Sequence, residues 1–341
     1  MRQSKRRLLW QIPFLCFLII GTVWIIRTQN DAPYHHDEGK IFGTYYHVTY
    51  QSEKDLHAAI RAALNRVDGS LSPFNDTSVI ARVNRNEPVV VDAMFRDVFT
   101  LAQHVSRETG GAFDITVAPV VNAWGFGTEG HRTPSPHTLD SLRRLVGYQK
   151  VALRGSRVVK QDPRIKLDCG AIAKGYGSDV VARLLRKEGV VNYMIEIGGE
   201  IVTSGNSPKR LPWKIGVTKP SDDSLNVNQE LQTVLNVTDK AMATSGNYRN
   251  FRYVGGKKYA HTIDPQTGRP VQHSLLSATV LASDCATADA YATAFMVMGI
   301  DKAARLLARH SELMAYFIYA GPDGQNKVWF SPSLKDKVEK D

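Results

Sequence analysis

One apolar stretch constrains the whole chain. Leu8 to Ile26 contains no charged residue and is almost wholly apolar. As a helix rising 1.5 Å per residue it reaches about 28 Å, close to the ~30 Å hydrocarbon core of a bilayer. No other stretch is long enough to cross, so a multi-span protein is excluded and the rest must fold in water. Arg2, Lys5, Arg6 and Arg7 precede the stretch; Arg27 follows it, then Asp31, Asp37 and Glu38. Positive charge stays on the cytoplasmic side, which sets the N-terminus inside and the remainder outside. A cleaved signal peptide is the competing reading. Against it, bulky Trp24, Ile25 and Ile26 stand where a small-residue cleavage site would lie. Cys16 follows Pro13, Phe14 and Leu15, without the small residue that precedes a lipid-modified cysteine. The expected organisation is a cytoplasmic tip and transmembrane anchor over 1–27, a polar tether over 28–40 and one domain over 41–341.

The 341 residues, 43% hydrophobic and 22% charged, exclude disorder and collagen, and three cysteines exclude a disulfide-stapled miniprotein. The net charge of +10 falls to +5 once the five cations flanking the apolar run are set aside. That excess suits an anionic ligand and does not require nucleic acid. Cys169 and Cys285 lie outside the anchor, and sequence leaves open whether they pair.

Beyond the tether, Ile41 to Tyr50 reads as a strand. Asp55 to Val67 reads as a helix with Leu56, Ile60, Leu64 and Val67 in phase. Asp92 caps a second helix that ends at Gly110-Gly111, and Ser135-Pro136 opens a third closed by Gly147. Short strands are expected near 150–154, 157–161 and 164–168. A helix follows over Ser178 to Lys187, then strand-like sequence from Val191 to Val237. Tyr248 to His261 resembles a hairpin, Leu275 to Ala282 a strand and Thr287 to Met298 a helix. Ala303 to Ala308 continues helical, and Met314 to Tyr319 and Lys327 to Phe330 flank a final turn. Strands and helices do not alternate regularly, so an α+β domain is expected rather than a doubly wound parallel sheet.

Four segments carry candidate chemistry. In Ile165 to Gly177 a strand-like run enters a glycine-punctuated turn before a helix, a setting that favours anions. It matches neither a Walker A loop nor a dinucleotide fingerprint, and its glycines serve tight turning equally well. In Cys285 to Ala294, Asp289 and Thr293 are four apart, so their oxygens share a helix face. A hard cation such as Mg²⁺ takes such oxygens, while an acid near a helix start is also favoured by the helix dipole. His261 opens the turn sequence His261 to Pro270 and is either a general base or a structural histidine. Asp114 beside Phe113, with Trp124 and Phe126 nearby, suits recognition of a planar heterocycle or simple core packing.

Together, eight segments in order resemble the ApbE family of flavin transferases. They are Phe42-Gly43-Thr44, Leu71-Ser72-Pro73-Phe74, Gly111 to Thr116, Leu167 to Gly175, Ile197 to Glu200, Ala243 to Tyr248, His261 to Pro270 and Ala288 to Thr293. The resemblance spans about Lys40 to Met314. It implies a single ApbE-type domain with a largely antiparallel sheet. It also implies Mg²⁺ as cofactor, FAD as substrate, and transfer of FMN to a threonine or serine hydroxyl of a target flavoprotein with release of AMP. Targets in such a family are subunits of sodium-pumping NADH:quinone oxidoreductases or Rnf-type complexes on the outer face of the bacterial inner membrane. Residue by residue, the resemblance assigns Asp289, Thr293 and the Ala171 carbonyl to the metal. It assigns Phe42, Phe74, Ala112, Phe113, Asp114, Asp168, Lys174 and Ile263 to FAD, and His261 to deprotonation of the acceptor. Phe42 stands where many members carry methionine. Two other readings use the same residues: Mg²⁺-dependent FAD pyrophosphatase, and flavin binding without turnover.

Overall fold

The computed structural model describes residues 13–24, 32–127, 133–220, 230–247, 251–254 and 257–338. Residues 13–24 are helical (α1) with exposed apolar side chains such as Phe17 and Trp24. The other residues of the apolar run Leu8 to Ile26 lie outside the described residues. Among the described residues no helix is long and apolar enough to cross a membrane.

The domain begins with two strands, β1 (Tyr34–Ile41) and β2 (Thr44–Gln51), then α2 (His57–Leu71), α3 (Val79–Asn84), α4 (Ala93–Glu108), α5 (Ala118–Ala123) and α6 (Pro136–Arg143). A small hairpin, β3 (Val151–Arg154) and β4 (Arg157–Lys160), leads to α7 (Ala173–Lys187). Next come β5 (Tyr193–Ile197), β6 (Glu200–Ser204), β7 (Lys214–Thr218), β8 (Leu231–Asn236) and β9 (Ala241–Gly246). They are followed by β10 (Phe251–Val254), β11 (Lys257–Ala260), β12 (Ile263–Asp264), β13 (Arg269–Pro270) and β14 (Leu275–Ala282). The chain closes with α8 (Cys285–Met298), α9 (Ile300–Leu307), β15 (Met314–Ala320) and β16 (Asn326–Phe330).

Eight strands form one sheet in the order β1-β2-β5-β6-β9-β14-β15-β16. Every neighbouring pair is antiparallel, as the irregular order of strands and helices led us to expect. Central strands are buried on both faces because each face is covered. Val280 and Phe317 belong to the core under the helices, while their neighbours Leu281 and Ile318 pack beneath the β7–β8 hairpin. Helix α8 is buried nearly all round, which its alanines permit: small side chains let it lie close to β9, β14 and α7.

Three local expectations are corrected. The strand expected over Ile41 to Tyr50 is a hairpin whose first arm reaches back to Tyr34, inside the segment read as tether. The hairpin turns at Phe42-Gly43, both with positive φ (51° and 75°), as a two-residue turn matched to strand twist requires. Polar composition hid β1 because it is an edge strand with one pairing partner, so much of it stays in water. Residues 164–168 do not form a strand. Leu167 instead donates to and accepts from the Asn84 side chain (2.7 and 2.9 Å), which substitutes for a partner strand. The third helix stops at Arg143 rather than running to Gly147. Cys169 and Cys285 are both buried and both free, so they do not pair.

Candidate active site

Two helix starts meet on the inner strands of the sheet and build the site. Helix α7 approaches α8 so closely that a Cβ at Gly175 would lie 2.6 Å from the Cys285 carbonyl carbon and 2.9 Å from Ala286 Cα. Only glycine fits there. The approach lets Gly175 N–H, in the first turn of α7 and without an intrahelical partner to seek, donate to Asp289 Oδ2 at 3.1 Å. Asp179, one turn further along α7, accepts from Cys285 N–H (2.8 Å) and Ala286 N–H (2.9 Å). It therefore caps α8 from outside, while Asp284 caps it from within through Thr287 N–H. Burial nevertheless pushes the Asp179 carboxyl up to about 6, against the lowering effect of those two N–H groups.

Lys174 lies one position before Gly175 and reaches Glu200 Oε1 at 2.7 Å. Glu200 is the first residue of β6, delivered by the Gly198-Gly199 turn, whose φ angles are 62° and 102°. It is 2% exposed, and its second oxygen, Oε2, is buried with no hydrogen-bond partner. Burial raises the Glu200 carboxyl, Lys174 opposes that, and the charge of Asp289 adds to it. For Lys174, burial works to lower the ammonium, but the Asp289 and Glu200 carboxylates outweigh it and hold it well above its ordinary range. The lysine thus stays charged, and two carboxylates share one cation.

These groups face a cleft of about 660 Å³. Eleven of the twelve residues singled out in the sequence line it: Phe74, Ala112, Phe113, Asp114, Asp168, Ala171, Lys174, His261, Ile263, Asp289 and Thr293. Phe74 stands at the rim, 74% exposed. Asp114 ties two loops together, accepting from Thr116 N–H and Oγ1 and from Tyr148 N–H at 2.7–2.8 Å. Burial raises its carboxyl despite these donors. Asp168 accepts from Gly170 N–H at 2.7 Å, and burial raises it too. His261 meets the Phe126 ring edge-on, with centroids 6.4 Å apart. Thr293 Oγ1 lies 3.1 Å from Ser245 Oγ. Phe42 is the exception: its ring lies against α7 at Gly177, where an added Cβ would sit 2.7 Å away, and it is not among the lining residues.

Glu200 lines the same cleft and was not singled out beforehand. The sequence signal was the Gly-Gly-Glu turn, but nothing local shows that this acid ends beside Lys174. Asn84 and Ser245 were missed for the same reason.

The donors fit a hard cation. Asp289, Thr293 and the main chain at Ala171 offer oxygen only, and among the described residues no group of three or more His, Cys, Asp or Glu side chains is placed to hold a metal. A softer metal would want nitrogen or sulfur. Mg²⁺ accepts few protein carboxylates and leaves room for phosphate oxygens. The surplus negative charge around Lys174, with one orphaned oxygen, is what an added cation would relieve.

Comparison with known proteins agrees with this architecture. Residues 42–317 match the model of the ApbE family. The FAD:protein FMN transferase of Vibrio cholerae is 36% identical over 323 residues, covering 92% of this chain and 95% of that protein. The protein of the same name from Haemophilus influenzae is 37% identical over 303 residues, covering 84% and 86%. The solved structure of the flavin transferase ApbE from Vibrio cholerae superposes with a TM-score of 0.81 at 34% identity, covering 90% of this chain and 99% of that one. By sequence across the domain and by fold, this chain belongs to the ApbE family.

Proposed function

We propose that this chain is an FAD:protein FMN transferase that works with Mg²⁺. It would move FMN from FAD to a threonine or serine hydroxyl of a target flavoprotein and release AMP. The observation that carries this reading is the convergence of Lys174, Asp289, Thr293 and His261 on one cleft with aromatic and apolar walls. Its volume falls within the usual range for cofactor sites, roughly 300–1,000 Å³. The names of the relatives and the shared fold support the same conclusion.

In this reading Ala112, Phe113, Asp114, Asp168, Ile263 and the rim residue Phe74 hold the dinucleotide. Lys174 presents its ammonium to a phosphate oxygen. The carboxylate of Asp289, the hydroxyl of Thr293 and the carbonyl of Ala171 would hold the cation, which when bound neutralises charge on the transferring oxygens. His261 takes the proton of the acceptor hydroxyl as its oxygen bonds to the FMN phosphorus. The phosphorus–oxygen bond to AMP breaks, and AMP leaves with the electron pair.

Replacing His261 by alanine is expected to slow transfer about 10²–10⁴-fold, the range for loss of a general base, while FAD binding persists. Undiminished transfer would remove His261 from catalysis. Incubation with FAD, Mg²⁺ and a candidate acceptor tests the whole reading through flavin fluorescence of the denatured acceptor band. Free FMN and AMP with no labelled protein would indicate hydrolysis instead, and unchanged FAD would overturn the enzymatic reading.

We further propose that Leu8 to Ile26 anchors the domain to the outer face of a bacterial inner membrane. There it would serve subunits of sodium-pumping NADH:quinone oxidoreductase or Rnf-type complexes. The exposed apolar side chains of α1 support this placement. Membrane fractionation checks it: the full chain should sediment with washed membranes, and a chain lacking residues 1–27 should not.

A further inference from the structure

We propose that Glu200 sets the order in which the cleft fills, favouring the divalent cation and disfavouring the dinucleotide without it. This rests on the proposed function and assigns a role to a residue outside the ligand sets given above. Three charged groups meet at the cleft floor: Lys174 with Glu200 at 2.7 Å, and Asp289, whose charge acts on both. Burial raises both carboxyls; once both are ionised, one ammonium between two carboxylates leaves a net negative charge where water screens little. Glu200 contributes that excess through a side chain whose Oε1 meets Lys174 and whose Oε2 is buried and unpartnered. A half-satisfied buried carboxylate is costly to keep, and here it lines the cleft with its other oxygen held by Lys174.

The consequence is electrostatic and has opposite signs for the two ligands. An incoming divalent cation is attracted by the surplus charge. An incoming diphosphate is repelled by it, although Lys174 is present, because Glu200 already neutralises that ammonium. Glu200 is therefore a positioning residue: it pins Lys174 and biases loading through its charge.

The test is Glu200→Gln, which keeps an oxygen for Lys174 and removes the charge. Two affinities are measured near pH 8, above the Glu200 carboxyl that burial raises to about 7: Mg²⁺ binding to flavin-free protein by calorimetry, and FAD binding in EDTA by flavin fluorescence. Loss of one unit charge several ångströms away should weaken Mg²⁺ and tighten FAD, each on the order of tenfold. General damage would weaken both, so the opposed signs are the signature. Glu200→Ala removes the same charge without an amide to place and should shift both affinities in the same opposed directions, which keeps the test decisive if the first variant fails to fold. Unchanged Mg²⁺ affinity in a folded variant, or changes of the same sign for both ligands, would overturn the proposal. If the wild-type chain bound no FAD even with Mg²⁺, the proposed function itself would fall instead.

Discussion

Asp289→Asn is expected to lower FMN transfer on the order of 10³-fold and to raise the Mg²⁺ concentration needed for half-maximal rate. The carboxylate is the one anionic side chain assigned to the cation, and losing the charge it steadies forfeits several kcal/mol of transition-state stabilisation. Asparagine is nearly isosteric, so its oxygen can still accept from Gly175 N–H at the 3.1 Å contact. That orientation turns the amide NH₂ toward the cleft, where it repels a cation. The fold should survive, with a melting temperature close to that of the parent chain. Rate measurements across an Mg²⁺ series decide the matter: an unchanged metal requirement would remove Asp289 from the ligand set.

Gly175→Ala should be among the most destabilising single-methyl changes in the domain. The added carbon would collide with the carbonyl of Cys285 and Cα of Ala286, which are backbone atoms at a capped helix start and cannot swing aside. Overpacking costs about 1–3 kcal/mol where side chains can yield, and here the upper end or more is expected. Separation of α7 from α8 would also break the Gly175–Asp289 bond and displace Lys174 from the cleft floor. A lower melting temperature with transfer reduced well beyond the unfolded fraction is the expected pair of results. A variant that melts and reacts like the parent would show that the two helices are not locked at this point.

The sequence made parts of this site legible because they depend on local periodicity. Asp289 and Thr293 share a face of α8 simply because they are four apart on a helix, and the acid among alanines marked a position that solubility does not explain. The turn residues around His261 and Gly170 before α7 were equally visible, whereas Gly175 and Gly177, read as part of the turn, lie inside the helix. Glu200 was not. All but the last residue of β6 is buried, so the usual alternation that distinguishes inward from outward positions is missing. Its pairing with Lys174 spans 26 positions of chain and requires the β5–β6 turn to lie against α7. The segment 164–168 erred in the other direction. Its alternation reports that Ile165 and Leu167 face inward, which they do, but alternation says nothing about what pairs with the backbone, and Asn84 took that role.

By itself the sequence determined the mixed class of the domain, its longer helices and most of its strands, and the oxygen donors on α8, while the short α3 and α5 escaped it. These follow from side-chain period, capping residues and turn chemistry, all of which act over a few residues. Only the tertiary structure decided that α7 and α8 touch through a bare glycine, that Phe42 lies against Gly177 rather than lining the cleft, and that Lys174 sits between two buried carboxylates. Those outcomes depend on distances between elements far apart in the chain, and a charge or a methyl group has its effect through such distances rather than through its place in the sequence.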